Sequence, residues 1–522
     1  MSHITRQSDT SLSPATSSSS HLRPEKRPSE DDPHAHDATA KVAKRAQVSR
    51  ACQRCRNLRR ACSDYRPCKR CSDHGLADQC LGMPGPVQIT WGPGHIAGAG
   101  AAAATSPQAY VLPPAQDSVQ RLAHLLPVTV VNYCARRFFA RLYPTIPIVT
   151  AEYIGRLKAA AASSTPSEVA MEAQLVLAAM SALVLLQVEE PESLFNEGLI
   201  SEKNSAYGER LFDEAILAHR NFARKSNPSL ELCLLTFLLY ACHAALLHHS
   251  QAFLFLREAN TLWLLLRPSD DAEVRALADR LFWVLLISER SHAVRYRRPV
   301  TLQITPETPS PGPDDDASLV GFWCLAALFR PLDTSFVALL NKEQVASPPS
   351  PSALHHVELA VNAALKPTLR LQDTQKANLR VTQLWLRIIL WQLRLRFGHL
   401  SEDALQAGPS FTFHYPLEVA KDLTLSTRDL PLDSIKVHGV GLTEKLFDIA
   451  SSVVDVLARI PIAPSSPSGL GIGIGSEDDL NYIRRLITQL PGGPDIYDAL
   501  LDKHIQQAVP DMELGRVQNL AD

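Results

Sequence analysis

The sequence predicts a mainly α-helical protein that also carries one small cysteine-rich domain. Apolar segments with helical spacing follow one another from about residue 118 to residue 462, as Val381, Leu384 and Ile388 illustrate. Strand-like alternation of apolar and polar residues is nearly absent there. Six of the ten cysteines fall between residues 52 and 80, which predicts a separate small module beside the helical domain.

Residues 1–46 are rich in serine, proline, aspartate and histidine and show no apolar periodicity, so we expect them to be disordered. They contain two basic clusters, Lys26-Arg27 and the stretch KVAKR at 41–45. Paired basic clusters of this kind resemble a bipartite nuclear-import signal and favour a nuclear location. The opening residues contain no apolar segment typical of a secretory signal.

The composition divides the remainder into four segments. We expect residues 47–82 to form the cysteine-rich domain and residues 83–117, rich in glycine, proline and alanine, to form a linker. Residues 118–462 form the helical domain, and residues 463–522 combine a glycine-rich joint, up to 479, with a C-terminal helical segment. Apolar residues of this last segment share one helical face: Leu480, Ile483, Ile487 and Leu490.

The most apolar stretch of the helical domain, LCLLTFLLYACHAALL at 232–247, is shorter than the ~18 residues needed to span a bilayer. It predicts a buried helix, and we expect no membrane partner. Four cysteines outside the cluster are surrounded by apolar residues and are interpreted as small buried hydrophobes: Cys134, Cys233, Cys242 and Cys324.

The clustered cysteines have the spacing of a metal site, C-x2-C-x6-C-x5-C-x2-C-x8-C. Each C-x2-C turn can present two thiolates to one tetrahedral Zn2+, so two such turns predict two zinc ions per chain. Two tetrahedral ions need eight ligand positions, and six sulfurs suffice if two of them bridge both metals. The predicted ligands are Cys52, Cys55, Cys62, Cys68, Cys71 and Cys80.

Basic side chains accompany the cysteines. Residues 41–80 hold eleven lysines and arginines against three aspartates, while the whole chain has a net charge of −2. Some of these cations favour thiolate over thiol and so assist metal binding. The excess is larger than a zinc–thiolate cluster requires, and a compact, strongly positive domain is typical of proteins that bind the DNA phosphate backbone.

The segment from Arg50 to Cys80 resembles the fungal binuclear zinc cluster (Zn2Cys6) transcription factors, through ACxxCR at 51–56, RPCxRC at 66–71 and the six-cysteine spacing. The resemblance implies that Cys52 and Cys68 bridge the two zinc ions. It further implies that Cys55 and Cys62 complete the first site, and Cys71 and Cys80 the second. It implies a regulator of promoters with CGG-type sites, and double-stranded DNA as the partner.

In this family a short helix after the second cysteine reads the base triplet, which places Leu58 and Arg59 at the reading positions. Arg59 can donate a bidentate pair to guanine, whereas Leu58 cannot. Ala61 stands where the family usually has a basic, phosphate-contacting residue. The expected DNA contacts are Arg54, Arg56, Arg59, Arg60 and Lys69. Leu58 and Ala61 motivate an alternative, a regulator or repressor that keeps the zinc cluster but does not read bases.

Parts of the helical domain also resemble the family's regulatory region, in the style of carbon-source regulators. The matching segments are FFARLYPTIPIV (138–149), FLFLREANTLWLLL (253–266), SERSHAVRYRRPVTL (288–302) and SIKVHGVGLTEKLFDIA (434–450). The resemblance implies that this region responds to a small-molecule effector, or to co-regulators or the transcription machinery. No heptad repeat follows the cysteines, so the oligomeric state stays open. No catalytic motif is found, and we expect no enzyme.

Three further motifs allow two interpretations each. RYRRP (295–299) is either a phosphate or effector patch or, as we favour, a solvated helix end. His243, His248 and His249 are either part of a ligand site or, preferably, structural histidines. PDIYDALLDKHI (494–505) is either an acidic-apolar activation segment or a plain C-terminal helix.

Overall fold

The computed structural model describes residues 121–163, 167–188, 192–222, 227–309, 317–342, 348–402, 408–459 and 472–509. Within these ranges the chain is mainly helical and forms no strand, apart from one isolated bridge between Ser401 and Thr412. The predicted fold class is therefore confirmed for the helical domain. The predicted disordered segment, cysteine-rich domain and linker lie outside the described residues.

The described part of the first half begins with a helical stretch at residues 121–125, and eight α-helices follow it. A π-helix, Phe138–Leu142, continues the first of these eight. They are α1 (Val128–Arg137), α2 (Ala151–Ala161), α3 (Glu168–Gln187), α4 (Ser193–Asn196), α5 (Asn204–Phe222), α6 (Leu230–Ala245), α7 (His249–Leu265) and α8 (Ala272–Tyr296).

The second half begins with a short 3-10 turn, Ala317–Leu319, and contains two longer helices, α12 and α15, that pack against each other. Its helices are α9 (Val320–Phe329), α10 (Thr334–Asn341), α11 (Pro351–Ala363), α12 (Asp373–Phe397), α13 (Tyr415–Thr427), α14 (Leu432–Lys436), α15 (Val440–Arg459), α16 (Ile472–Thr488) and α17 (Asp498–Ala508). A 3-10 turn, Pro409–Phe411, precedes α13, and a π-helix, Gly493–Tyr497, leads into α17.

Helix α3 is the centre of the first half. It is apolar on all sides and packs against α1, α2, α5 and α6. By length and composition α3 could cross a membrane, but 78% of its apolar window is buried by the surrounding helices. A helix that is hydrophobic all round needs either lipid or protein against every face. Here the neighbouring helices cover the apolar faces of α3. The predicted buried helix at 232–247 is likewise confirmed as α6, which lies beside α3.

Serine caps fix where the central helices begin. The Ser167 side chain accepts from the Ala170 N–H at the start of α3, and Ser229 accepts from Leu232 at the start of α6. Ser229 also donates to the Glu172 carboxylate of α3 at 2.8 Å. One hydroxyl therefore satisfies a free helix N–H and ties the two helices together.

The C-terminal segment packs on the same core. The predicted apolar face of α16 is buried, and α16 and α17 both contact α15. Helix α16 begins at Ile472, inside the stretch predicted as a joint up to residue 479. The acidic residues 477–479 follow its first turn and are part of the helix. Tyr497, Leu501 and Ile505 are buried, so residues 494–505 contain a packed C-terminal helix.

His219 is buried between α5 and α6. Its Nε2 lies 3.1 Å from the Thr236 hydroxyl, whose proton is donated to the Leu232 carbonyl, so His219 donates and Thr236 accepts. Burial, with a smaller contribution from Arg220, lowers the pKa of His219 to about 4. The imidazole is therefore neutral in the folded protein at neutral pH.

We predict that Leu239→Ala in α6 destabilises the fold by about 2–5 kcal/mol, because the side chain is fully buried and its removal leaves a cavity. The matched control is Leu254→Ala in α7, where the leucine is 67% exposed, with an expected change within about 0.5 kcal/mol. Urea unfolding followed by helical circular dichroism measures both. Equal losses would contradict the assigned core.

We predict that His219→Gln, which keeps a donor near the Nε2 position, removes part of the acid sensitivity of the fold. The pKa of His219 in the folded protein lies below its unfolded value of about 6.5. The contribution of the neutral His219 to the free energy of unfolding is therefore complete above pH 6.5 and is lost as the pH falls. The loss approaches about 3 kcal/mol near pH 4. Unfolding free energies between pH 7 and 4 measure it, with His356→Gln, at an exposed position, as the control. An unchanged pH slope in His219→Gln would refute the assignment.

Candidate functional site

The predicted metal ligands and DNA contacts lie outside the described residues, so the zinc and DNA assignments stay predictions. These residues are Cys52, Cys55, Cys62, Cys68, Cys71 and Cys80 for zinc, and Arg54, Arg56, Arg59, Arg60 and Lys69 for DNA. In the part of the chain that the structure describes, no group of three or more histidine, cysteine or acidic side chains could hold a metal ion.

Cysteines of the helical domain have a packing role. Cys134, Cys233 and Cys242 are buried as predicted, whereas Cys324 is only partly buried. Burial raises the pKa of the Cys134 and Cys233 thiols to about 12, so both stay protonated and unreactive at neutral pH.

A cavity of about 210 Å³ is the candidate site of the helical domain, and its volume equals that of about seven water molecules. It is bounded by the π-helix after α1, by α6, α8 and α12, and by the start of α15. Three of the segments that resemble the family's regulatory region meet here. The lining residues from these segments include Arg141 and Ile146 of the first, Ser288, Ser291, His292, Arg295 and Tyr296 of the second, and Val437, Glu444 and Lys445 of the third.

A largely buried ion cluster joins α8 to α15, and two of its members, Arg295 and Glu444, line the cavity. Arg295 of α8 contacts two carboxylates of α15, with its Nε 3.3 Å from Glu444 and a terminal nitrogen 2.7 Å from Asp448. The same terminal nitrogen donates to the Glu444 carbonyl at 2.8 Å. The two acids raise the pKa of Arg295 above its ordinary value despite burial, so the guanidinium is permanently charged.

Two tyrosines converge on Glu444. The hydroxyls of Tyr296 in α8 and Tyr497 before α17 both donate to its Oε1, the latter at 2.6 Å. Because the Tyr296 proton is used in this bond, the neighbouring His249 Nδ1 at 3.1 Å must be the donor to the Tyr296 oxygen. Burial and the negative Glu444 raise the pKa of both tyrosines, so both hydroxyls keep their protons.

Lys445 of α15 lies over the indole ring of Trp385 in α12. Its Nζ donates to the Thr382 hydroxyl at 2.9 Å and lies 5.4 Å from the centre of the Trp385 ring. Trp385 in turn donates its indole N–H to Asp448 at 2.9 Å. Burial lowers the pKa of Lys445 to about 8, so its charge is stabilised less than that of Arg295.

His292 provides an uncharged polar group. Its ring packs between those of Tyr240 and Tyr296, with centroids 5.6 and 5.4 Å away. Burial lowers the pKa of His292 to about 4, so the imidazole is neutral at pH 7. No hydrogen bond joins its nitrogens, or the hydroxyl of neighbouring Ser291, to any residue that the structure describes. Both side chains line the cavity.

The arginines of the RYRRP motif lie in two different environments. Arg297 and Arg298 are exposed, as expected of a solvated helix end, but that interpretation is wrong for Arg295, which is 14% exposed in its side chain and ion-paired. Among the histidines, His243 packs against Phe212 and Phe255 as a structural residue, whereas His249 lines the cavity. The sequence interpretation missed Glu444, although a carboxylate on the apolar face of an amphipathic helix could have indicated a buried charge.

No protein-family model matches the chain. It is 22% identical over 297 residues to the probable sucrose utilization protein SUC1 of Candida albicans, covering 55% of this chain. It is 21% identical over 460 residues to the maltose fermentation regulatory protein MAL13 of Saccharomyces cerevisiae, covering 80% of this chain and 86% of that protein. The respiratory transcription factor ZNF1 of Saccharomyces cerevisiae is 33% identical over 73 residues, which cover 14% of this chain and 15% of that protein.

The chain spans 58% of the length of the Candida protein. The named roles of these relatives are sugar utilization, regulation of maltose fermentation and transcription, and none of the three is named as an enzyme. The chain is thus similar, at low identity, to yeast transcription regulators.

Proposed function

We propose that the chain is a zinc-dependent, sequence-specific DNA-binding transcription regulator that acts in the nucleus. The observation that carries the proposal is the spacing of six cysteines between residues 52 and 80 within a strongly basic segment. Six thiolates are a donor set that suits two zinc ions, and the basic residues around them suit a phosphate backbone. Similarity to a yeast regulatory protein over 80% of the chain supports a regulatory role.

The target class follows from the resemblance and from the relatives. CGG-type promoter sites suit Arg59, because an arginine side chain can donate two hydrogen bonds to guanine. Genes for the use of a carbon source are the proposed targets, because two of the relatives are named for sucrose utilization and maltose fermentation. The helical domain would then carry the regulatory input, from a small-molecule effector or from a co-regulator.

A second candidate is a regulator or repressor that retains the zinc cluster without reading bases. Leu58 and Ala61, at positions where the family carries basic residues, favour it. The two candidates differ in one measurable property: the second binds CGG duplexes and scrambled duplexes with equal affinity, since phosphate contacts carry no sequence information.

We predict that the purified chain contains two zinc ions and that chelation abolishes its binding to duplex DNA, because the ligands hold the small domain together. Cys68→Ser, at a proposed bridging position, should lower the zinc content and DNA affinity, while Cys324→Ser in the helical domain should leave both unchanged. Elemental analysis and a fluorescence binding assay measure the two properties. Metal-free protein that still binds DNA would refute the zinc requirement.

We predict that Arg59→Ala and Arg56→Ala have different effects on the full chain. Arg59→Ala should lose about 1–3 kcal/mol of preference for CGG over a scrambled duplex, because a bidentate guanine contact is removed. Arg56→Ala should weaken both duplexes alike and reduce the salt slope by about one. Equilibrium titrations at several salt concentrations distinguish them. Selectivity that survives Arg59→Ala would show that another residue reads the bases.

A further inference from the structure

A second cavity of the helical domain, the basic cavity, lies where the ends of α8, α10 and α12 meet. Its volume is about 310 Å³, equal to that of about ten water molecules. Three cations line it, Arg297, Lys342 and Arg396, and no carboxylate is among the lining residues that the structure describes. The surrounding sequence is acidic, since residues 118–522 hold 37 lysines and arginines against 44 aspartates and glutamates. A cavity lined by cations alone is therefore exceptional in this part of the chain.

The backbone holds the three cations in place. Arg297 and Lys342 end α8 and α10, and both have a left-handed backbone conformation with φ of 54° and 59°. Their backbone N–H groups donate to carbonyls of the last helical turn. Arg396 lies in the last turn of α12, and one of its terminal nitrogens donates to the Leu339 carbonyl of α10 at 2.6 Å. The side chains thus extend toward the cavity from fixed positions.

Helix dipoles account for part of this charge. The C-terminal end of a helix carries about −0.5 of a unit charge, so three such ends offset about half of the three positive charges. The side chains of Arg297 and Lys342 form no hydrogen bond or ion pair with any residue that the structure describes. About 1.5 positive charges therefore stay available to a ligand.

The cations also disfavour one another. Partial burial lowers the pKa of Arg297, Asp448 opposes this effect, and the charge of Arg396 adds to it. Asp448 is already paired with Arg295 at 2.7 Å. A cavity lined by charges of one sign concentrates the electrostatic potential, and an anion that binds between the cations relieves their repulsion.

A phosphate monoester matches this arrangement. A phosphorylated serine or threonine carries about −1.5 to −2 charges at pH 7 and offers three strong acceptor oxygens. Arginine binds such oxygens with two parallel hydrogen bonds, and clusters of arginines recognise phosphorylated peptides in several protein families. A single carboxylate carries one charge and has two oxygens, so it would leave part of the positive charge unbalanced.

The setting favours a peptide over duplex DNA. All three cations are exposed, so the basic cavity opens to the surface and the chain on either side of a bound phosphate can continue over it. The phosphates of DNA follow one another along a regular line, whereas these cations converge on one cavity. The excess of acidic residues in the surrounding sequence also disfavours a long polyanion.

We propose that the basic cavity is a docking site for a phosphorylated serine or threonine side chain of a partner protein. This interaction goes beyond the proposed DNA-binding function, and only its consequence for transcription rests on that function. It makes recruitment of the partner depend on a kinase that modifies the partner.

Fluorescence anisotropy with the full chain tests the ligand class. The probe is a labelled nonapeptide with a central phosphoserine flanked by alanine and glycine, and the controls carry serine or glutamate at the central position. The phosphopeptide should bind at least about tenfold more tightly than either control, because only it supplies the charge and the three oxygens. Equal affinity for the phosphopeptide and either control overturns the proposal. No DNA is present, so a failure of the proposed DNA-binding function would not be mistaken for a failure here.

Variants locate the site. Arg297→Gln and Lys342→Gln should each weaken the phosphopeptide about tenfold, because each removes one charge-assisted contact. The matched control is Arg330→Gln, at an exposed arginine that ends α9 outside the cavity lining, with unchanged affinity. Circular dichroism confirms that the variants fold. Phosphopeptide affinity that survives both Arg297→Gln and Lys342→Gln, or that falls equally in Arg330→Gln, overturns the assignment.

Competition distinguishes other sources of phosphate. Free phosphoserine and inorganic phosphate should displace the phosphopeptide only at concentrations at least about tenfold higher than the unlabelled phosphopeptide requires, because they lack the flanking chain. Displacement at equal concentration would assign the cavity to small anions. A scrambled DNA duplex should bind Arg297→Gln as it binds the unmodified chain, and a tenfold loss of duplex affinity would assign the cavity to nucleic acid. Either assignment overturns the docking of a phosphorylated partner.

Discussion

The contact of Arg295 with Glu444 and Asp448 is the interaction on which the candidate site depends. It joins α8 to α15 at the wall of the cavity, and Glu444 also receives the hydroxyls of Tyr296 and Tyr497. Removing ions from water costs several kcal/mol each unless hydrogen bonds replace the lost hydration. Here each charged group has such partners, which is why the cluster can stay charged in the interior and hold three separate parts of the chain together.

The same constraint explains the character of the cavity. Arg141, Arg295 and Lys445 line the cavity together with one carboxylate, Glu444, while neighbouring His292 and Ser291 have no hydrogen-bond partner among the residues that the structure describes. The cavity walls come from helices that are distant in sequence, with α8 and α15 among them. Glu444 touches both the cavity wall and the C-terminal segment, through the hydroxyls of Tyr296 and Tyr497.

Two different kinds of physical information therefore point to a regulator. The cysteine spacing and the arginines around it suggest how the chain would bind DNA, and they can be interpreted without a fold because the ligands lie within 29 positions of one another. The cavity suggests how a signal could enter, and it is visible only in three dimensions. Arg295 shows the difference well: beside Arg297 and Arg298 it resembles a solvated helix end, yet its guanidinium is buried between two acids of another helix.

By itself the sequence determined the helical class, the buried faces of α6 and α16, and the cysteine-rich segment, because periodicity and spacing are properties of neighbouring residues. Only the tertiary structure decided which charges are paired and where the cavity lies. Glu444 is 148 residues from Tyr296 and 53 from Tyr497. No local pattern specifies such partners, since they meet only when the helices pack and the free energy of burying a charge must be offset by whichever groups the packing brings near.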